Sequence, residues 1–153
     1  MTDTKTLEFT RELPLTPEKL WPLLIEPKHR EVWGAPEEGM VLQVETADTR
    51  EGGHERHRCG PADDPHFLID TRWYKLAGPA LAVFTETLVV GDETHFTSLV
   101  TYGVSAFGDG AVLNVTVAVS AFTGPEAFDE IEAGWTGGLA NLDALVAKVT
   151  APA

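Results

Sequence analysis

Residues 125–149, PEAFDEIEAGWTGGLANLDALVAKV, decide how this chain folds. Their apolar residues recur with a helical period: Phe128, Ile131, Trp135, Leu139, Leu142, Leu145, Val146 and Val149 form one stripe. Almost everything from Met40 to Phe122 reads instead as strands parted by turns. A long amphipathic helix that follows a run of antiparallel strands has to bury its stripe on their sheet. A curved sheet gripping one helix leaves a hollow between them, so the pattern also points to a pocket.

Outward from that helix, the punctuation of the chain sets the other elements. Thr6–Leu13 alternates as a first strand, with Leu7, Phe9 and Arg11 on one face. Thr16-Pro17-Glu18 is a helix start, with a Thr cap, Pro at the first position and an acid near the positive dipole end. That helix carries Leu20, Trp21, Leu24 and Ile25 and stops before Pro27. A second short helical turn spans Lys28–Trp33, broken by Gly34-Ala35-Pro36. Strands are expected at Met40–Glu45, His54–Cys59, Phe67–Leu76, Leu81–Val90, Thr94–Ala106 and Ala111–Phe122. Turns rich in Gly, Pro and Asp separate them. No internal repeat or linker interrupts the pattern. The expectation is one α+β domain over residues 1–153, with residues 150–153 as a frayed tail.

The chain carries 24 acidic and 11 basic residues, a formal net charge of −13. Phosphate backbones and anionic lipid surfaces would repel it, which argues against nucleic acid and membrane surfaces as partners. No apolar run reaches the roughly 18–20 residues that span a bilayer. Met1-Thr2-Asp3-Thr4 has neither the basic nor the apolar region of a signal peptide. Cys59 is the single cysteine, so no internal disulfide forms, and the expected location is the cytoplasm.

The order is one strand, two short helices, six strands and a long helix. With it go four stretches: Leu20-Trp21 through Glu31-Val32-Trp33-Gly34, Arg50-Glu51-Gly52-Gly53, Leu81–Thr87 with Phe84-Thr85, and Gly134-Trp135-Thr136-Gly137-Gly138-Leu139-Ala140-Asn141-Leu142. Order and stretches together resemble the START-like, helix-grip superfamily, also called SRPBCC or Bet v 1-like. Within it they are most similar to the bacterial branch named after the activator of Hsp90 ATPase. The resemblance covers nearly the whole chain. It implies a helix-grip fold, with a curved antiparallel sheet of about six to seven strands around the C-terminal helix and two short helices after the first strand. It is specific for fold and weak for function, because the superfamily hosts many roles.

The candidate site follows from polar residues on faces that should point inward. Leu113, Val115, Val117 and Val119 fix the inner face of the last strand, and Val100, Tyr102 and Val104 that of its neighbour. Ala82, Phe84, Glu86 and Leu88 share one face, as do Ile69, Thr71 and Trp73. The family pattern after the Gly-Gly turn puts Glu55, His57 and Cys59 inward, where related sequences tend to be aromatic or apolar. A one-residue slip would put these polar residues at the surface instead. Inside a hollow, two carboxyls and an imidazole would perturb one another's titration. They would bind the polar end of a ligand, or act as acid and base if the protein is an enzyme, with Glu55, His57 and Glu86 as the catalytic set. No H-x-H, H-E-x-x-H or Cys/His spacing supports a metal, and no cofactor is expected. Cys59 reads as a small buried hydrophobe.

Trp33, Trp73 and Tyr102 offer stacking walls, with N–H or O–H groups to orient a flat ligand, though all could equally be core. Gly134, Gly137 and Gly138 each cost roughly 1 kcal/mol in a helix interior. Gly138 lies in the stripe, either for close packing or to leave room for a ligand. The expected ligand-binding set is Trp33, Glu55, His57, Thr71, Trp73, Phe84, Glu86, Tyr102, Trp135 and Gly138. Three functions are open: binding of a small hydrophobic or amphipathic molecule, a reaction like that of the polyketide cyclases or dehydratases, and protein interaction akin to the Hsp90 co-chaperone domain. Oligomeric state, monomer or homodimer, is not decided by the sequence.

Overall fold

The sheet has seven antiparallel strands, and the computed structural model describes residues 2–35 and 38–152. The elements run β1 (Asp3–Leu13), α1 (Pro17–Ile25), α2 (Pro27–Trp33), β2 (Met40–Thr46), β3 (His54–Pro61), β4 (Phe67–Ala77), β5 (Leu81–Val90), β6 (Glu93–Phe107), β7 (Gly110–Ala121) and α3 (Ala127–Thr150). The strand order is β1-β7-β6-β5-β4-β3-β2, so every neighbour past β1 is a hairpin partner and the two short helices carry the chain from one edge to the other. The sheet curves around α3 in a helix-grip α+β arrangement.

Local chemistry places these elements where the sequence puts them. Thr16 caps α1, its hydroxyl accepting from the Lys19 amide at 3.4 Å, and Pro17 opens the helix. Pro27 opens α2 in the same way. On α3, Ile131, Leu139, Leu142 and Val146 are buried against the sheet. They meet the inner face of β7, where Leu113, Val115, Val117 and Val119 are buried while Asn114 and Ala118 are exposed.

Two expectations about α3 need correction. Val149 is 51% exposed, because the helix has run past the end of the core and the stripe no longer has a sheet to cover it. Thr150 is the last residue of α3 rather than part of a frayed tail, and its hydroxyl donates to the Val146 carbonyl at 2.7 Å. Pro36, part of the expected helix break, and Ala153, part of the expected tail, lie outside the described residues.

The short helices are tied to both neighbours. The Trp33 indole N–H donates to the Leu23 carbonyl at 2.8 Å, fixing α2 on α1. The Asn141 amide donates to the carbonyls of Trp33 and Ala35 at 3.4 and 2.8 Å, fixing α3 on the end of α2. Glu31 accepts from the Val44 amide at 2.8 Å and so covers part of edge strand β2. Gly138 faces Trp33 and not a strand: a Cβ there would lie 3.4 Å from the Trp33 carbonyl oxygen and 3.8 Å from its ring.

That last geometry makes a stability prediction. The contact is an ordinary one and the position is helical, so Gly138→Ala should raise stability by about 0.5–1 kcal/mol. Urea unfolding tests it, and a loss of similar size would contradict the packing.

Candidate functional site

The register assembles three cross-strand rows on the concave face. One reads Trp73–Phe84–Val100–Val117 across β4 to β7. The next reads Glu55–Thr71–Glu86–Ser98 across β3 to β6. The third reads His57–Ile69–Leu88–Phe96 across the same strands. A polar row therefore lies between two largely apolar ones. The alternation read in β3 holds: Glu55, His57 and Cys59 are 2%, 2% and 7% exposed, while His54 and Arg56 point to solvent. In β4, Thr71 and Trp73 are buried and Asp70, Arg72 and Tyr74 are exposed.

Between this face and α3 lies a cavity of about 860 Å³. Its helix side is lined by Ala133, Gly134 and Gly138 beside Ile131 and Trp135, so the hollow exists partly because α3 carries small residues there. Its sheet side is lined by Leu42, His57, Cys59, Phe67, Ile69, Trp73, Phe84, Glu86, Leu88, Phe96 and Tyr102, and α2 contributes Arg30 and Trp33. A chain of rings forms one wall. Trp73 and Phe84 have centroids 4.8 Å apart, Phe84 and Tyr102 5.1 Å, and Tyr102 and Trp135 6.3 Å. A smaller hollow of about 380 Å³ is lined by the exposed acids Glu12 and Asp109, by Pro14, Phe107 and Gly110, and by the buried Leu13 and Ala111.

Glu55 is the hub behind the polar end. Its Oε1 lies 2.6 Å from Arg30 Nη2 and 3.1 Å from His57 Nε2. Its Oε2 accepts from the Thr49 hydroxyl at 2.6 Å and the Trp73 indole N–H at 2.9 Å. Burial alone would push this carboxyl up, but His57, Arg30, Thr49 and Trp73 together hold it at about 2. An ionised carboxylate only accepts, so His57 Nε2 carries the proton toward Glu55. Arg30 also donates through Nε to the Ile25 carbonyl at 3.0 Å and stands 5.4 Å from the Trp73 ring centroid. The approach of its Nη2 to Glu55 is an ion contact off the line of the N–H bonds, because no directed hydrogen bond reaches Nη2.

Glu86 has the opposite environment. It is half-buried, and what it is exposed to is the cavity. Among the described residues no hydrogen bond reaches its carboxyl. Loss of water pushes its pKa up, more than His57 and Arg30 pull it down, and Glu55 adds to the rise. Burial and the nearby Glu86 raise the Tyr102 phenol, and burial raises the Cys59 thiol to about 11. Cys59 is thus a thiol and not a thiolate at neutral pH.

The structure brings most of the expected residues to one place and sorts them. Trp33, His57, Trp73, Phe84, Glu86, Tyr102, Trp135 and Gly138 line the cavity. Glu55 and Thr71 do not; Glu55 stands behind Arg30 and His57, and Thr71 sits in the polar row beside Glu86. The indole N–H groups of Trp33 and Trp73, expected to orient a ligand, are spent on Leu23 and Glu55. Arg30 was missed by sequence reasoning. The signal for it is its i,i+3 spacing to Trp33, which puts both on the buried face of α2. Among the described residues no cluster of three His, Cys, Asp or Glu could hold a metal ion, and no helix is long and apolar enough to cross a membrane.

Solved structures share this architecture. An uncharacterised protein of Rhizobium leguminosarum superposes with a TM-score of 0.82 at 20% identity, covering 97% of each chain. The Mll3558 protein of Rhizobium loti gives 0.83 at 23% identity, covering 94% of this chain and 98% of its own. Protein CV1439 of Chromobacterium violaceum gives 0.81 at 22% identity, covering 92% and 96%. These bacterial neighbours establish the fold. No family model and no curated protein matches the chain.

Two titrations follow from the two carboxyls. The folded pKa of Glu55, about 2, lies below its ordinary 4.5, so its stabilisation is complete above pH 4.5 and lost as pH falls toward 2. Glu55→Gln should cost on the order of 3 kcal/mol in denaturant unfolding at pH 7 and flatten the acid limb of the stability curve. A neutral effect at pH 7 would remove Glu55 as the hub. Glu86 is raised above 4.5, so it lowers stability as pH rises through its titration. Glu86→Gln should therefore raise Tm at pH 8 and leave it unchanged at pH 4. A lower Tm at pH 8 would show that the carboxylate is stabilised in place.

Proposed function

We propose that the protein is a small-molecule-binding member of the START-like, helix-grip superfamily, in or near the branch named after the activator of Hsp90 ATPase. The supporting observation is the cavity itself: about 860 Å³, walled by aromatic and aliphatic side chains, with Arg30, His57 and Glu86 as polar groups within it. That volume and composition suit a ligand of drug-like size with an apolar body and one polar end. The aromatic wall supplies contact area, and the polar groups supply orientation. The net charge of −13 speaks against a polyanionic ligand.

A catalytic reading is second. It is favoured by one observation, the unpartnered carboxyl of Glu86 with a raised pKa beside His57, a pairing suited to proton transfer. Glu55 is unsuited to that role, because each of its oxygens is already occupied by neighbouring donors. Nothing observed favours the chaperone-interaction reading.

The test is native mass spectrometry together with thermal shift against a panel of lipids and aromatic metabolites. The reading predicts a bound mass or a rise in Tm with at least one class. It also predicts that Gly138→Leu, which puts a side chain at the cavity wall, weakens that binding at least about tenfold while Gly138→Ala retains it. Bare protein throughout, with no shift across the panel, would overturn it.

A further inference from the structure

The cavity's polar end is formed by Arg30, His57 and Glu86, and their arrangement selects a chemistry. Arg30 is 7% exposed and lines the cavity; its Nη2 is buried against Glu55, and among the described residues no hydrogen bond reaches its Nη1. A permanent cation held this way, with an N–H group unspent, is costly unless something accepts from it. Its counter-charge, Glu55, does not line the cavity, so a group entering the hollow meets the guanidinium first. Glu86 lines the same cavity with a carboxyl that no described residue bonds. The register places Thr71 and Ser98 on either side of it, and among the described residues both buried hydroxyls have no partner.

We infer that the cavity is built for a ligand whose buried end is a carbonyl or carboxyl oxygen, accepting from the cavity-facing side of the Arg30 guanidinium and the Glu86 carboxyl, with an aromatic or alkyl body along the ring wall. This rests on the reading of the cavity as a small-molecule site and names the chemistry of its polar end. A protonated Glu86 gives an O–H to the incoming oxygen, and burial favours that protonated form. An ammonium group would instead face the guanidinium, with only an ionised Glu86 to offset it. The charged and titratable groups that bear on Glu86 are Arg30 from α2, Glu55, His57 and Cys59 from β3, Tyr102 from β6 and, also lining the cavity, Glu130 from α3. Of these only Arg30 is a fixed cation.

A matched probe set tests this: 2-naphthamide, 2-naphthoic acid, 2-naphthylmethylamine and 2-methylnaphthalene, titrated calorimetrically into the whole protein between pH 5 and 8. The amide and the acid should bind at least about tenfold more tightly than the amine and the hydrocarbon at pH 5. Because the acid binds as an anion only with a proton on Glu86, its affinity should fall by up to about tenfold per pH unit above the Glu86 titration. The amide, which can also donate to an ionised Glu86, should change little. Glu86→Leu should narrow the preference for amide over hydrocarbon to the part that Arg30 supplies, while the hydrocarbon still binds. The amine binding most tightly, or affinity rising with pH, would overturn the acceptor assignment and leave the cavity as a ligand site. Equal binding of all four would do the same. No binding by any probe, with the fold intact by circular dichroism, would overturn both this assignment and the reading it rests on.

Discussion

The buried carboxylate of Glu55 is the constraint on which the rest of the site depends. A charge in that position is tolerated only because four residues offset it: the Arg30 guanidinium from α2 as counter-ion, and as donors His57 from its own strand β3, Trp73 from β4 and Thr49 from the turn between β2 and β3. The ion contact with Arg30 ties α2 to the sheet. The hydrogen bonds fix the orientation of the Trp73 ring and, through it, the start of the aromatic wall. They set the His57 tautomer. Glu55 thus acts as a positioning residue that organises the groups facing the cavity, and is not itself one of them.

Glu86, two positions along the row with Thr71 between, shows the reverse outcome from the same residue type. It has no donors to offset its burial, so its carboxyl is pushed toward the neutral form. Two glutamates on strands either side of β4 are driven in opposite directions by their surroundings. Such a separation marks division of labour in a site: one carboxylate holds structure, the other is left to meet what enters. The small residues of α3 complete the arrangement, since Ala133, Gly134 and Gly138 line the helix side of the same cavity.

The fold was legible because its signals are local and repeated. The helical stripe of α3, the Thr16-Pro17 cap and the two-residue alternation of β3 through β7 each point to the same architecture. The inward trio Glu55, His57 and Glu86 was expected from alternation joined to the family resemblance, which set the phase of β3 after the Gly52-Gly53 turn; alternation by itself left a one-residue slip open. The partners of that trio were not. Arg30 belongs to a seven-residue helix, where a cation reads as solvated, and its burial depends on how α2 docks on a distant strand. An unpaired inward carboxylate on β3 does require a counter-charge, but sequence does not say which of the basic residues supplies it. The end of the stripe at Val149 was misjudged for a related reason: periodicity marks a face and not how far the sheet beneath it extends.

The central claim is that two buried glutamates in one polar row are held in opposite protonation states. Carbon-detected NMR titration of glutamate-labelled protein, with Glu55→Gln and Glu86→Gln for assignment, measures this directly. The account predicts one carboxyl that stays ionised down to about pH 2 and a second that stays protonated above pH 4.5, the first Glu55 and the second Glu86. Both carboxyls titrating together near 4.5 would contradict it.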